Sequence, residues 1–431
     1  MTNHFFESTL SNGLMVRLKE IHTSPIISHW IWYRVGSRNE IPGKTGLSHW
    51  VEHMQFKGTP GFPASILDKA ISRDGGFWNA FTYLDWTTFF ETLPAEKIEL
   101  ALKLEADRMV NSIYDPEEVE SERTVIISER EGSENEPLFR LSEAVQSAAF
   151  STHPYRMEII GSKDDLFSIQ RDDLYKHYRT HYCPANAVLA MAGDFDTDEM
   201  FKRIQDIYGI IPTHELVRHD IPGEKEPSGE QRVDVSGPGE TEFVQIAYRA
   251  PSAADPDFFA FTVMDSLLTG PSGLNMFGGG GISNKTSRLY RALIDNELAV
   301  TVSGGLQATI DPFLYEIMLT LRNDRPVEHA LEVIDAEIDN LISGTILNSE
   351  IDRAVKQARA LFAYGSENIT NQAFWLGYSE MFANYAWFED YVKKLEEVTP
   401  ESLKAAARKY LKPENRVIGF YHAENGTGEP G

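Results

Sequence analysis

Residues 26–54 read IISHWIWYRVGSRNEIPGKTGLSHWVEHM. Through Tyr33 the stretch is rich in β-branched and aromatic residues at short spacing, which predicts a strand. Leu47, Trp50, Val51 and Met54 then recur at i, i+3, i+4 and i+7, the period of a helix with one buried stripe. Thr45 and Gly46 mark the join. A later passage, TEFVQIAYRAPSAADPD from residue 241 and FAFTVMDSLLTG from residue 259, repeats the order of apolar strand, basic residue, polar turn and helix. A self-similar unit of roughly 200 residues points to internal duplication.

The elements around the first passage extend the pattern. GLMVRLKEI reads as an earlier strand, SILDKAISRDG as a helix stopped by Gly75 and Gly76, and NAFTYLDWTTFFETL as two strands around Leu84 and Asp85. KIELALKLEADRMV and PEEVESERTVIISEREGS are helical. Between Leu216 and Gln231 the chain turns polar, with Pro222, Gly223, Pro227 and Gly229 and no apolar period, which reads as a linker. The expected fold is α+β: two homologous α/β sandwich domains, each a mixed, mainly antiparallel sheet with helices packed on it. Their expected bounds are 1–218 and 231–431, joined by 219–230.

The chain of 431 residues is 42% hydrophobic and carries a formal charge of −25. That suffices for two cores, and the negative field would repel nucleic acid and anionic membrane surfaces. Cys183 is the single cysteine, so neither an intrachain disulfide nor a cysteine-based zinc knuckle can form. No N-terminal leader pattern and no bilayer-length apolar run is evident, and a cytoplasmic protein is expected.

On a helix His49 and His53, four apart, point to the same side and can offer two imidazoles to one metal ion. Glu52 sits beside them, where it can take a proton from water, and the pattern is the inverse of the HExxH zinc signature. Two exposed histidines on an amphipathic helix would carry the same letters, so a further ligand is needed. Glu122 and Glu129 are seven apart, two turns of one helix, with Val125 and Ile126 expected to bury it. Spacing does not choose between the two carboxylates.

In these residues the chain resembles the pitrilysin/insulinase family of zinc peptidases, specifically its short bacterial and mitochondrial-processing-type members. The resemblance is carried by HWVEH with the ER…E helix of Glu122 and Glu129, and by GGFWNAFT at 75–82. His153-Pro154-Tyr155, Ile160-Gly161, Tyr182-Cys183-Pro184-Ala185-Asn186, Gly193-Asp194 and Thr286-Ser287-Arg288-Leu289 add to it. It implies a zinc endopeptidase with one Zn2+ per chain on His49, His53 and Glu129, with Glu52 as general base. Glu122 would orient a ligating histidine. Asn79, Ala80, Phe81 and Thr82 would form the edge strand to which an extended peptide adds.

The family's second half supplies an arginine and a tyrosine seven residues apart to the substrate. The matching stretch here, ALIDNELAV, has Leu293 and Val300 at those places, and neither donates a hydrogen bond. Arg291 and Tyr290 stand off that register. The expectation is therefore a heterodimer in which a homologous subunit carries the Arg/Tyr pair. A self-sufficient homodimeric peptidase and a non-catalytic scaffold subunit are the alternatives. Two other motifs are set aside. Residues 279–286, GGGISNKT, miss the second glycine of a P-loop, and His177 and His181 read as part of a surface helix.

Overall fold

The apolar runs of the first half pair into one sheet. Its strands are β1 (Phe6–Thr9), β2 (Met15–Glu20), β3 (Ile26–Tyr33), β4 (Phe77–Thr82), β5 (Thr87–Pro94) and β6 (Ala187–Gly193). They lie in the order β1-β2-β6-β3-β5-β4, with β2 and β6 parallel and the other neighbours antiparallel. The computed structural model describes residues 5–216, 220–225, 227, 229–273, 282–322 and 325–424, without the side chains of Ile66 and Asp68. Positions 219, 226 and 228 of the expected linker and 279–281 of the P-loop-like run lie outside the described residues.

The second sheet repeats the first. Its strands are β7 (Gln231–Pro238), β8 (Phe243–Arg249), β9 (Ala299–Leu306), β10 (Leu314–Leu321) and β11 (Arg416–Glu424), in the order β7-β11-β8-β10-β9. The β7/β11 pair is parallel and the rest antiparallel. Substituting β2, β6, β3, β5 and β4 for β7, β11, β8, β10 and β9 reproduces order and sense. Apart from β1, which has no counterpart among the described residues, the two sheets share one topology, as the repeated strand–turn–helix passage suggests.

The chain forms two compact units, but they are not continuous stretches. One comprises Met1–Arg130, Met157–Ile221 and Ser366–Phe388; the other Glu131–Arg156, Pro222–Gly365 and Glu389–Gly431. The single division expected at 219–230 misses this exchange. The helix Pro137–Ala149, from the first half, packs on β11, β7 and β8, and the helix Ile369–Phe382, from the second, packs on β3, β6 and β2. Linear composition does not reveal which sheet a helix will cover.

In the first unit β3 is buried along nearly its whole length because both its faces are covered. On one face Trp30 stacks on Phe90 at 4.1 Å, and Phe374 of the Ile369–Phe382 helix meets Trp30 and Trp32 edge-on at 5.4 and 5.3 Å. Gly377 lets that helix settle, since a Cβ there would stand 2.2 Å from the Trp32 ring. On the other face, fully buried His29 bonds Glu91 at 3.0 Å. Arg108, from the helix Ile98–Asn111, donates to Glu105 at 2.8 Å and to Glu91 at 3.3 Å. No described helix is long and apolar enough to cross a membrane.

Candidate metal centre

The helix Leu47–Met54 begins at Gly46, whose φ of 87° lies in the left-handed region. A Cβ at Gly46 would come within 2.4 Å of the Ile160 carbonyl oxygen, so glycine is required twice over. The first backbone amides of a helix have no partner within it. Here the buried Glu40 takes two such donors, Gly46 N–H at 2.8 Å and Ser48 N–H at 2.7 Å. From that fixed start the helical period brings His49 and His53 onto one side, their ring centroids 4.5 Å apart.

The second contribution comes from the helix Pro116–Glu134. Its buried positions are Val119, Glu122, Ile126 and Arg130, whereas Val125, expected to be buried, is 49% exposed. Val125 lies off the stripe that repeats every three to four residues. Glu122 and Glu129 both reach the histidines. Glu129 Oε1 lies 3.8 Å from His49 Nε2 and Glu129 Oε2 3.6 Å from His53 Nε2. His53 Nδ1–H donates to Glu122 Oε1 at 2.7 Å, while Lys57 forms an ion pair with Glu122 Oε2. With Nδ1 committed to Glu122, His53 has Nε2 left to face Glu129, the nitrogen that a metal ion would take.

One donor atom each from His49, His53 and Glu129 falls within 4.8 Å of the others, a group able to hold a metal ion. Two imidazole nitrogens and a carboxylate oxygen suit zinc, whose tetrahedral ligands sit about 3.3 Å apart. Each of the two Glu129 oxygens faces one of the histidine nitrogens, at 3.8 Å for His49 and 3.6 Å for His53. Burial, followed by the neighbouring His53, holds His49 down to about 3, so its ring is neutral and able to ligate. Burial also lowers the affinity of His53 for a proton, but the bond to Glu122 and the nearby Glu52 outweigh it, and the net shift is upward.

Glu52 is buried next to the histidines, and burial raises its carboxyl to about 7 against the opposing pull of Thr82. Thr82 Oγ1 donates to Glu52 Oε2 at 2.6 Å. Thr82, expected to serve a peptide, thus holds the carboxylate. It ends β4, the last strand in its sheet order, so Asn79, Ala80, Phe81 and Thr82 lie on an edge without a described strand neighbour. Asn79 Oδ1 accepts from Ala80 N–H at 2.8 Å.

Lys57 escaped the sequence reading. Its position four after His53 was the available signal, carried through the tight turn Gln55–Lys57. In the second unit Leu293 is fully buried and Val300 is 58% exposed on β9. The intervening chain forms a π-helix, Tyr290–Ile294, then places Glu297 at φ 57°. Leu293 is therefore a core residue, with no polar role open to it.

Comparison with known proteins agrees with this fold. Residues 15–163 match the family described as "Insulinase (Peptidase family M16)", and residues 168–358 match "Peptidase M16 inactive domain". The zinc protease PqqE of Helicobacter pylori is 26% identical over 424 residues, 96% of this chain and 91% of that protein. The mitochondrial-processing peptidase subunit beta of Lentinula edodes is 26% identical over 416 residues, 94% of this chain and 87% of its own. A crystal structure of a protease from Helicobacter pylori has a TM-score of 0.88 at 26% identity, covering 97% of this chain and 99% of the other. A peptidase M16 inactive domain from Pseudomonas fluorescens has a TM-score of 0.85 at 19% identity, covering 98% of each chain, a likeness of fold alone. With both of its halves matched, the chain belongs to peptidase family M16, the pitrilysin/insulinase family of zinc proteases.

Proposed function

We propose that the chain is a zinc-dependent endopeptidase of short or unfolded peptides, and that it is the zinc-bearing subunit of a heterodimer enclosing a chamber. The observation that carries the reading is the convergence of His49, His53 and Glu129 with the Glu52 carboxylate beside them. One zinc per chain, when bound, supplies a Lewis acid that polarises a carbonyl and acidifies water. His49 and His53 offer ring nitrogens and Glu129 an oxygen, and Glu122 sets the direction of the His53 lone pair. Glu52 takes a proton from the attacking water and passes it to the departing amine. The edge at Asn79, Ala80, Phe81 and Thr82, which has no strand neighbour among the described residues, pairs with the backbone of an extended peptide, a mode that places little demand on the peptide's side chains.

The partner follows from a deficit. Buried Leu293 and exposed Val300 lack the donors that would stabilise charge developing on the attacked carbonyl. A homologous subunit bearing arginine and tyrosine would supply them. The test combines metal analysis with turnover of an unstructured fluorogenic peptide, for the chain alone and with an Arg/Tyr-bearing homologue. The expected result is one zinc per chain, weak turnover alone and strong turnover with the homologue. Glu52→Gln should lose about 10²–10⁴-fold in rate and keep its zinc. A purified chain devoid of zinc overturns the peptidase reading. Full turnover by the chain alone overturns the heterodimer.

A further inference from the structure

Ser48, the residue before His49, is fully buried, and its hydroxyl has two partners. Its hydroxyl donates to the Gly36 carbonyl at 3.0 Å and lies 3.2 Å from His177 Nε2. A hydroxyl has one proton. Since that proton goes to Gly36, the second contact requires Nε2–H of His177 to donate to Ser48 Oγ. The backbone N–H of Ser48 meanwhile donates to Glu40, whose other oxygen takes Gly46 N–H. His177 belongs to the helix Arg171–His181, which packs against the Leu47–Met54 helix. It was expected on a surface helix, yet it is buried, and burial keeps the ring neutral.

Three directions of restraint therefore meet one residue ahead of a proposed ligand. Glu40 and Gly36 hold Ser48 from the turn before the helix, and His177 holds it from behind. A short helix so fixed at its first turn has little freedom to shift or rotate. The gap from His49 Nε2 to Glu129, 3.8 Å, is then set by this anchor rather than by the histidine rotamer alone. We infer that Glu40 and His177 are positioning residues that act through Ser48 to hold His49 at coordinating reach of Glu129. The inference rests on the zinc reading above.

The test measures zinc affinity by competition with a chromophoric chelator, and the visible spectrum of the Co2+-substituted protein, on the full chain. Apo-protein melting is followed alongside. Ser48→Ala and His177→Phe should each weaken zinc about tenfold and shift the cobalt bands. His177→Gln, which keeps an N–H donor, should retain most of the affinity. A simple packing role would lower the melting temperature without touching affinity or spectrum. Folded Ser48→Ala and His177→Phe with wild-type affinity and unchanged bands overturn the proposal, as does equal loss in His177→Gln and His177→Phe. If His177→Phe does not fold, Glu40→Gln carries the same comparison, since its amide can accept only one of the two backbone donors. Absence of zinc from the wild-type chain would instead remove the underlying zinc reading, an outcome distinguishable from wild-type binding that the variants leave unchanged.

Discussion

Glu122 Oε1 stands 2.7 Å from Nδ1 of His53, and Lys57 pairs with the other oxygen of the same carboxylate. The bond orients the histidine, and together His53 and Lys57 keep the carboxylate ionised against its partial burial. Glu122→Gln should therefore lower zinc affinity by about 10–100-fold, the usual cost of removing a group that orients a ligand. Glu129→Gln, which removes a donor atom itself, should cost more. Competition with a chelator of known affinity measures both, and equal affinity in wild type and Glu122→Gln would contradict this role.

Edge pairing makes a prediction with a period of two. Successive amides of a strand point alternately toward and away from its neighbour. Single N-methylation along a bound peptide should raise KM at every second residue and leave the intervening positions near normal. A flat response would mean that the peptide does not add to the β4 edge.

His29 links the first unit's stability to pH. Its burial lowers the ring to about 4, with Glu105 opposing and Arg108 reinforcing that shift. The unfolded chain, with an ordinary histidine near 6.5, binds the proton first as the solution is acidified. The neutral ring thus contributes full stability above about pH 6.5, and this is lost progressively toward pH 4, about 3 kcal/mol in all. Denaturant midpoints measured from pH 7 to 4 should fall more steeply for wild type than for His29→Gln. Parallel slopes would refute the linkage.

Gly377 sits where the Ile369–Phe382 helix crosses Trp32, with no room for a Cβ. Gly377→Ala should favour the helix intrinsically by about 1 kcal/mol, yet overpacking in a core costs about 1–3 kcal/mol. The net expectation is a lower melting temperature and altered near-UV dichroism from the Trp30, Trp32 and Phe374 cluster. A stabilised Gly377→Ala variant would show that the helix can lift without penalty.

Much of this protein is local in origin. The run Ile26–Tyr33 is a strand, and Leu47–Met54 a helix, because of their own residue types and periods. The spacing of His49 and His53 puts two imidazoles on one side through helical geometry alone. The glycines before Phe77 likewise mark the end of the helix Ala64–Arg73 by composition. The repetition of strand, turn and helix beyond residue 241 was legible as pattern, and the two sheets share one topology.

Tertiary structure decided what depended on distant partners. Glu122 and Glu129 are indistinguishable as letters two turns apart. Packing of the Pro116–Glu134 helix directs one to His53 Nδ1 and the other to the two Nε2 atoms. Thr82, at the end of the edge strand β4, also proves to be the partner of Glu52, and His177 moves from the surface to the back of the histidine helix. The helices at 137–149 and 369–382 change sheets, because an amphipathic or apolar face names no particular partner. The sequence by itself determined the elements and the chemical types at the site, since these follow from periodicity within a few turns. Only the fold decided which nitrogen meets which carboxylate, because hydrogen bonds depend on tenths of an ångström between residues far apart in the chain.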